Sequence, residues 1–434
     1  MNTKSITFSL IPFGSSTQLF LTVLPKENYQ SADDTQGHGK TTDDWAAQIR
    51  NILENTRRIL QENGFDNNIA ASNFFLKDIG KKELVRQIIS EVFPAEVFPN
   101  GLGASTFIPQ SPAGGSAVSL EIWAIKGGSI DSKAVNGNVN DRKKTSSFVS
   151  EIEFDGLRWV FAGDARPDAL PAGAYQRSYS AFEQLRQQLN SADTEFSQTL
   201  RTWIYQGHLV LPEGKTQRYK ELNRARTDFF KEIDFLKDYL PQDYSGKSGT
   251  GAVYPASTGI GTDDMDIVIS AVAVAQSGSR KEKYGFLTVP LENPHQTSAF
   301  DYGTSYSPQS PKFSRALAAV HRNGCMIFVS GTASITDSES RFIEDPEKQT
   351  EQTLDNIAAL IGTKNLNRHG IDGFVSALSD LQVVRVYVKR PAELDIIREV
   401  CERRLNNVPV LYVIADVCRP ELLVEIEGIA VINR

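Results

Sequence analysis

The segment Leu381-Gln-Val-Val-Arg-Val-Tyr-Val388 decides the fold, because the elements that surround it occur three times along the chain. A helical stretch precedes this strand, and apolar spacing predicts a second helix near Glu393 to Leu405. A break at Val408-Pro409 then leads to a closing strand that contains Val424-Glu-Ile-Glu-Gly428. This order predicts a β-α-β-α-β unit in which a sheet packs against helices, an α+β architecture.

Two further copies of the unit precede the C-terminal one. The first has a strand at Asn73–Asp78, a helix near Lys82–Val92 and a closing strand at Val118–Ile125. The middle copy repeats the order less cleanly, with a helix near Ser178–Leu189, a strand at Leu200–Tyr205, a helix near Arg218–Ile233 and a closing strand at Asp266–Val274. A repeat on this scale indicates that the copies bury their faces against one another.

Two polar stretches separate the copies. Residues 126–145 are rich in Gly, Asn, Ser and Lys, and residues 275–283 contain Gly278 and a basic cluster. They divide the chain into an N-terminal unit 1–128, a degenerate middle unit 129–280 and a C-terminal unit 281–434. Each unit alone would leave strand edges and apolar faces uncovered. We therefore expect a monomer whose three units form an intrachain pseudo-trimer.

Composition excludes several classes of function. The 434-residue chain has a net charge of −7 and no block of five or six basic residues, which argues against a nucleic-acid partner. Its longest apolar runs, such as 267–275, are too short for a bilayer, and no signal-peptide pattern is present, so we expect a cytoplasmic protein without membrane contact. Three cysteines without CxxC spacing and five scattered histidines predict neither disulfides nor a metal site.

Two acids occupy one face of the last closing strand. With the two-residue period of a strand, Glu425 and Glu427 lie on the same side, opposite to Val424 and Ile426. Burial of an ionised carboxylate without a partner costs several kcal/mol, so we expect one acid to be kept for chemistry. Glu427 is the better candidate for a structural role, hydrogen-bonded at a unit interface.

The corresponding strands of the other copies differ at these positions. Val268 and Ser270 of the middle copy align with Glu425 and Glu427, so that copy has no proton donor. In the first copy we align Glu121 with Glu425 and Trp123 with Glu427. A single active site is therefore predicted in the third unit.

The repeated motifs resemble two related families. The unit order resembles the RidA/YjgF/UK114 family, whose members are homotrimers with sites between subunits. From about residue 147 onward the chain also resembles the chorismatase family, in the motifs Arg201-Thr-Trp-Ile-Tyr205, Tyr219 through Arg226, Pro255-Ala-Ser-Thr-Gly-Ile-Gly261, Leu291-Glu-Asn-Pro294, Ser330-Gly-Thr-Ala333, Arg368-His-Gly370 and Leu422-Leu-Val-Glu-Ile-Glu-Gly428. The second resemblance implies conversion of chorismate, without metal or organic cofactor, to pyruvate plus a dihydroxycyclohexadiene carboxylate or a hydroxybenzoate. Residues 1–128 would be an additional RidA-like unit.

This resemblance assigns chemical roles to three residues. Glu425 matches the catalytic acid, which must be protonated at neutral pH to protonate the methylene carbon of the enolpyruvyl group. Apolar neighbours and the two negative charges of the substrate favour the neutral acid. The pair Gly331 and Cys418 is similar to the 3-hydroxybenzoate-forming branch, whereas small aliphatic residues at both positions are similar to the diene-diol branch. Inert packing for Cys418 and a strand bulge at Gly331 are the alternatives.

Chorismate carries two carboxylates, so the pocket needs cationic side chains. Arg226 is the first candidate, with Arg201 second, and a solvated surface ion pair is the alternative for each. Tyr219 precedes Arg226 by seven residues and lies on the same helical face. Tyr205 either lines the pocket or packs in a core. Backbone N–H donors for an anionic group are offered by Thr258 and Gly259.

Two other functions are compatible with the repeated unit. Imine or enamine hydrolysis of the RidA type depends on an Arg just after the proline that precedes a strand. Asn100, Ala256 and Val410 occupy these positions, so that activity is not expected. A non-catalytic scaffold that binds a small metabolite or a protein between its units stays open. Release of pyruvate from chorismate separates the catalytic function from this alternative.

Overall fold

A computed structural model describes residues 5–25, 44–65, 67–133, 149–167, 173–235, 252–275, 285–303, 309–322 and 324–434. In these ranges the chain forms three large sheets, which fall within residues 6–126, 129–275 and 286–433. The greater part of both predicted linkers, 126–145 and 275–283, lies outside the described residues.

The first sheet has five strands and carries two helices. Its elements are β1 (Ile6–Phe13), β2 (Ser16–Val23), α1 (Trp45–Asn63), β3 (Ile69–Leu76), α2 (Lys82–Val92), β4 (Ala104–Ile108) and β5 (Val118–Lys126), with strand order β1-β2-β5-β3-β4. Helix α1 begins at Asp44, whose carboxylate accepts a hydrogen bond from the Ala47 N–H, and it ends at Gly64 in the left-handed conformation. Its apolar face, including Ile49, Ile52 and Leu53, packs on the sheet because these residues share one side of the helix.

The second unit has the same order with an additional edge strand. Its elements are β6 (Ser129–Lys133), β7 (Val149–Phe154), β8 (Leu157–Ala165), α3 (Ala174–Ser191), β9 (Thr199–Gly207), β10 (Pro212–Glu213), β11 (Thr216–Gln217), α4 (Arg218–Phe230), β12 (Ala256–Thr262) and β13 (Ile267–Ala275). The six-stranded sheet has the order β12-β9-β13-β8-β7-β6, and β10 pairs with β11 separately.

The third unit again repeats the order. Its elements are β14 (Phe286–Leu291), β15 (Ala316–His321), β16 (Gly324–Ala333), β17 (Ile335–Thr336), β18 (Glu339–Ser340), α5 (Pro346–Ile361), α6 (Thr363–Arg368), β19 (Leu381–Val388), α7 (Leu394–Leu405), β20 (Val410–Ile414) and β21 (Val424–Asn433). The six-stranded sheet has the order β14-β15-β16-β21-β19-β20, and β17 pairs with β18. Short 3-10 helices occur at Ile79–Lys81, Phe196–Gln198, Ala299–Asp301, Leu378–Asp380 and Pro391–Glu393.

The predicted α+β class and the tandem β-α-β-α-β order are confirmed, and the structure adds strands to each unit. An antiparallel pair of strands precedes the first helix. A short strand after the second helix pairs in parallel with the strand that lies between the two helices in sequence. The segment Thr258–Gly261 belongs to such a parallel strand, β12. Its two glycines concealed the strand, because glycine usually weakens a strand interior.

The three units pack around one another, which confirms the intrachain pseudo-trimer. Trp123 of the first unit contacts Phe161 of the second at a ring-centroid distance of 5.0 Å and Phe328 of the third at 6.2 Å. A buried apolar cluster contains residues of all three sheets. Burial of these faces removes the apolar surface that a single unit would expose to water.

Strand registers correct one alignment made from the sequence. In the third unit Glu427 of β21 pairs with Arg385 of β19. In the first unit Glu121 of β5 pairs with Asn73 at the equivalent place of β3. Glu121 therefore corresponds to Glu427, and Ser119 corresponds to Glu425. The earlier alignment was wrong because two acids one period apart on a strand occupy similar apolar surroundings.

Candidate active site

A cavity of about 250 Å³ lies between the second and third units. Helix α4 and strand β12 form one wall, and strand β16, the segment after β20 and the beginning of β21 form the other. Its lining includes Tyr219, Arg226, Gly259, Gly331, Cys418 and Glu425. Six of the nine residues selected from the sequence thus lie around one cavity at a unit interface.

Glu425 is a buried acid in this cavity. It lies on β21 between Ala333 of β16 and Tyr387 of β19, and only 5% of its surface is exposed. Within the described part of the chain, no group donates a hydrogen bond to its carboxyl. Burial, followed by the nearby charge of Glu427, raises the pKa of Glu425 to about 8, although Arg201 and Arg315 oppose this increase. The carboxyl is therefore mostly protonated at neutral pH.

Gly331 makes room for this carboxyl. It lies in the bulge of β16, where the register with β21 shifts between Val329 and Thr332. A Cβ atom at Gly331 would lie 1.9 Å from Oε1 of Glu425, far inside van der Waals contact. The position thus requires glycine for the observed conformation of Glu425, because any side chain would displace the acid.

Arg226 is a buried cation on the opposite wall. It projects from α4 and is 3% exposed, and its guanidinium donates to Asn223 Oδ1 at 2.7 Å and to Ser257 Oγ at 3.5 Å. The guanidinium also lies 5.5 Å from the centre of the Phe313 ring. Burial lowers the pKa of Arg226, with the neighbouring Tyr219 opposing this effect.

Arg315 is a second buried cation, which the sequence analysis missed. It precedes β15 and donates to the Thr297 carbonyl at 2.8 Å and to the Tyr302 hydroxyl at 2.6 Å. Its guanidinium lies 5.6 Å from the centre of the Phe313 ring, so both arginines contact this ring. The sequence contained one signal for it, an arginine directly before the apolar strand β15. A charged side chain next to a buried strand indicates a specific role for the charge.

Arg226 and Arg315 differ from the other buried arginines in their partners. Among the described residues, no carboxylate lies within ion-pair distance of Arg226 or Arg315. Most other buried arginines of the described chain, such as Arg201 and Arg385, do form ion pairs. Since a buried charge without a counter-charge is costly, the two guanidinium groups are suited to bind a ligand with two negative groups.

Two further polar side chains of the cavity, Cys418 and Tyr219, are uncharged at neutral pH. Burial, followed by the charge of Glu425, raises the pKa of the Cys418 thiol to about 12. Cys418 is partly exposed, and it faces the cavity. Burial also raises the pKa of the Tyr219 hydroxyl. Cys418 is thus a neutral thiol and Tyr219 a neutral phenol in this pocket.

Three of the selected residues lie behind the cavity wall. Arg201 and Thr258 both contact Glu427, and Tyr205 accepts a hydrogen bond from Arg385 at 2.7 Å. The structure therefore does not bring Arg201, Tyr205 or Thr258 to the cavity lining. Gly259 does line it, but two N–H groups of the same strand edge, those of Ser257 and Gly261, already donate to protein oxygens at 2.8 Å.

Glu427 has the structural position expected from its sequence context. One carboxylate oxygen accepts from Arg201 and Thr258 of the second unit, and the other accepts from Arg385 at 3.1 Å and Tyr387 at 2.8 Å. Arg385 also pairs with Glu121 of the first unit. This buried network, which we call the interface network, joins all three units.

Comparisons with known proteins show what this chain and its fold are similar to. A crystal structure of a chorismatase superimposes with a TM-score of 0.61 and 21% identity, covering 84% of this chain and 93% of that one. A 3-hydroxybenzoate synthase from Streptomyces hygroscopicus is 29% identical over 281 residues, 63% of this chain and 74% of the relative. A chorismatase from the same organism is 38% identical over 179 residues, 41% of this chain and 49% of the relative.

The predicted resemblance to the chorismatase family is thereby confirmed, and the fold is that of a chorismatase. In particular, the chain is similar to the 3-hydroxybenzoate synthase over most of that protein's length, whereas the match to the Streptomyces hygroscopicus chorismatase spans about half of that relative. No protein-family model matches the chain.

The described residues contain no group of three or more His, Cys, Asp or Glu side chains arranged to hold a metal ion. None of the helices in the described ranges is long and apolar enough to span a membrane.

Proposed function

We propose that this protein cleaves chorismate to pyruvate and 3-hydroxybenzoate by protonating the enolpyruvyl group. The proposal depends on one cavity that holds a protonated acid, Glu425, together with two buried arginines that form no ion pair with the described residues. Chorismate combines an enol ether, which needs a proton, with two carboxylates, which need cations. Names and similarity of the relatives support the same substrate.

The acid step follows from the environment of Glu425. With a pKa of about 8, about nine in ten molecules hold the proton at pH 7. Transfer of this proton to the methylene carbon turns the ether into an oxocarbenium ion. The bond between the ether oxygen and the ring carbon then breaks, so this oxygen leaves as the carbonyl oxygen of pyruvate. The oxygen of the neighbouring ring hydroxyl bonds to the vacated carbon and stays on the ring, and loss of a ring proton, which restores the acid, gives the aromatic product. A donor with a pKa near the working pH combines the correct protonation state with a useful driving force for transfer. A bound dianion would raise the pKa of Glu425 further and keep its carboxyl protonated.

Binding is assigned to the two arginines that share the Phe313 ring. Arg226 would hold one carboxylate and Arg315 the other, each through charge-assisted hydrogen bonds. Tyr219 and Gly259 would complete the wall beside Arg226. We retain Arg201, Tyr205 and Thr258 as residues that support this wall from behind.

The product assignment depends on Gly331 and Cys418. Formation of 3-hydroxybenzoate and pyruvate conserves all atoms of chorismate, whereas a dihydroxycyclohexadiene carboxylate plus pyruvate requires one added water. Cys418 would be a neutral thiol near the ring, placed to assist aromatisation and to limit access of water. No redox step is needed for either outcome.

The organisation of the chain is part of the proposal. We infer that units 1–128, 129–280 and 281–434 replace the three subunits of a trimer, and that the chain acts as a monomer. Light scattering after size-exclusion chromatography is expected to give the mass of one chain, 48.0 kDa. A trimer of chains would contradict this arrangement.

Incubation with chorismate tests the function directly. Pyruvate is measured with a coupled dehydrogenase, and the ring product is identified by chromatography and mass spectrometry. We expect one pyruvate for each 3-hydroxybenzoate. Absence of pyruvate would leave a binding scaffold, and a diene-diol as the ring product would reassign the product.

A further inference from the structure

The interface network extends toward the acid through one side chain. Thr258 is buried on β12, and its hydroxyl donates to Glu427 while it accepts the Gly331 N–H at 2.9 Å. Arg201 also donates to this hydroxyl. The three partners belong to different strands, so Thr258 joins the second unit to the bulge of β16 in the third.

Glu425 and Thr258 both contact the same side of Gly331. An ideal Cβ on Gly331 would lie 1.9 Å from Glu425 Oε1 and 3.1 Å from Thr258 Cγ2. The position of the bulge therefore determines the space that is left for the carboxyl of Glu425. A shift of the bulge by a few tenths of an ångström would change the direction in which the acid points.

We propose that Thr258 is a positioning residue for Glu425, because its hydroxyl fixes the β16 bulge that the carboxyl rests on. This inference rests on the proposed function only for its effect on turnover, since the placement of Glu425 is a property of the fold. Thr258 itself does not line the cavity and needs no contact with the substrate.

The first unit supplies a matched control. Thr106 of β4 occupies the position that Thr258 has in β12. Thr106 pairs with Asn73 of β3, and Thr258 pairs with Trp203 at the equivalent place of β9. The Thr106 hydroxyl accepts the Asp164 N–H at 3.3 Å. The residue at the Glu425 position of that interface is Val268, so the link made by Thr106 does not support an acid at that position.

The experiment compares Thr258→Val, Thr258→Ser and Thr106→Val with the unchanged chain. Valine keeps the shape of threonine but lacks the hydroxyl, and serine keeps the hydroxyl. We expect Thr258→Val to lower kcat for chorismate about 10- to 100-fold with KM within about threefold, since small displacements of a reacting group have effects of this size. The pH at which kcat falls should move by at least about 0.5. Thr258→Ser should recover kcat to within about fivefold, and Thr106→Val should keep kcat within about twofold.

A thermal readout decides the inference without turnover. The difference in Tm between a chain and its Glu425→Gln variant, measured at pH 5 and pH 9, reports the titration of Glu425. We expect the pH dependence of this difference to change in the Thr258→Val background and to stay unchanged in the Thr106→Val background. Equal behaviour of the two valine variants in both readouts would overturn the role of Thr258. If the unchanged chain releases no pyruvate, the function fails, while the thermal comparison still decides the inference.

Discussion

Replacement of Glu425 by Gln tests the central step, because it removes the proton donor and keeps the side-chain shape. The pKa of Glu425 is raised from 4.5 to about 8 in the folded chain. Between these values the folded chain holds the proton and the unfolded chain has lost it, so stability falls as the pH rises through this window. At about 1.36 kcal/mol per pKa unit, the cost is about 4–5 kcal/mol above pH 8 and disappears below pH 4.5.

Glutamine has no charge at any pH, so the variant avoids this cost. Relative to the unchanged chain, we expect Glu425→Gln to gain about 4 kcal/mol more stability at pH 9 than at pH 5. An unfolding entropy of about 2.1 cal/mol/K per residue gives about 0.9 kcal/mol/K for 434 residues. The relative Tm should therefore rise by about 4 °C, measured by scanning calorimetry at both pH values.

Turnover gives the second half of this test. Glu425→Gln should lower kcat for chorismate at least about 1,000-fold at every pH, and kcat/KM of the unchanged chain should fall above about pH 8. Glu427→Gln is the control: it leaves Arg201 and Arg385 short of a counter-charge and should destabilise by about 3–5 kcal/mol at both pH values. A Tm gain for Glu425→Gln that is equal at pH 5 and pH 9, or retained turnover, would refute the reasoning.

Three further substitutions test binding and product choice. Arg226→Ala should weaken substrate binding by about 2–3 kcal/mol, a roughly 30- to 150-fold increase in KM. The side chain of Arg224 is exposed, so Arg224→Ala should leave KM within about twofold. Equal effects of the two substitutions on KM would show that Arg226 does not bind the substrate. Gly331→Ala should displace Glu425 and lower kcat about tenfold or more, with more diene-diol by chromatography; an unchanged rate and product would contradict the close contact. Cys418→Ala should keep pyruvate release within about fivefold but lower the fraction of 3-hydroxybenzoate, because the thiol is neutral; an unchanged product ratio would limit Cys418 to packing.

Elements with regular apolar spacing were predictable from the sequence. The helix Lys82–Val92 and the strand Leu381–Val388 have the bounds that the sequence predicted. Their apolar residues recur with a clear helical or strand period, because one face of each element is buried. The parallel strands β4, β12 and β20 were missed. They are short edge strands, and Gly259 and Gly261 in β12 remove the side chains that mark a strand.

The site was predictable only where a motif points into the cavity. Glu425, Gly331 and Cys418 came from one motif comparison, and the fold brings Gly331, from a strand distant in sequence, beside Glu425 and Cys418. Arg315 was missed because its role depends on what is absent, a carboxylate partner, and pairing is invisible before the chain is folded. Arg201 was selected for its charge, yet the structure uses that charge to bind Glu427.

The equivalent interface between the first and second units differs at the positions that surround the cavity. Asp164 of the second unit occupies the position of Gly331. Ala162 pairs with Ala271 as Val329 pairs with Gly428, and Asp164 and Gly331 each lie two residues further along the strand. The Asp164 carboxylate pairs with Lys82 and with Arg166 at 3.1 Å, so an internal anion satisfies the cations there. Phe107 stands where the second unit has Gly259 and fills the adjoining space with a ring that Lys82 also contacts. An interface that supplies its own carboxylate and its own aromatic group has neither the free cations nor the room that a dianionic substrate requires. The interface that lines the cavity has Gly331 and Gly259 at these two positions, and it carries Glu425 where the other interface has Val268.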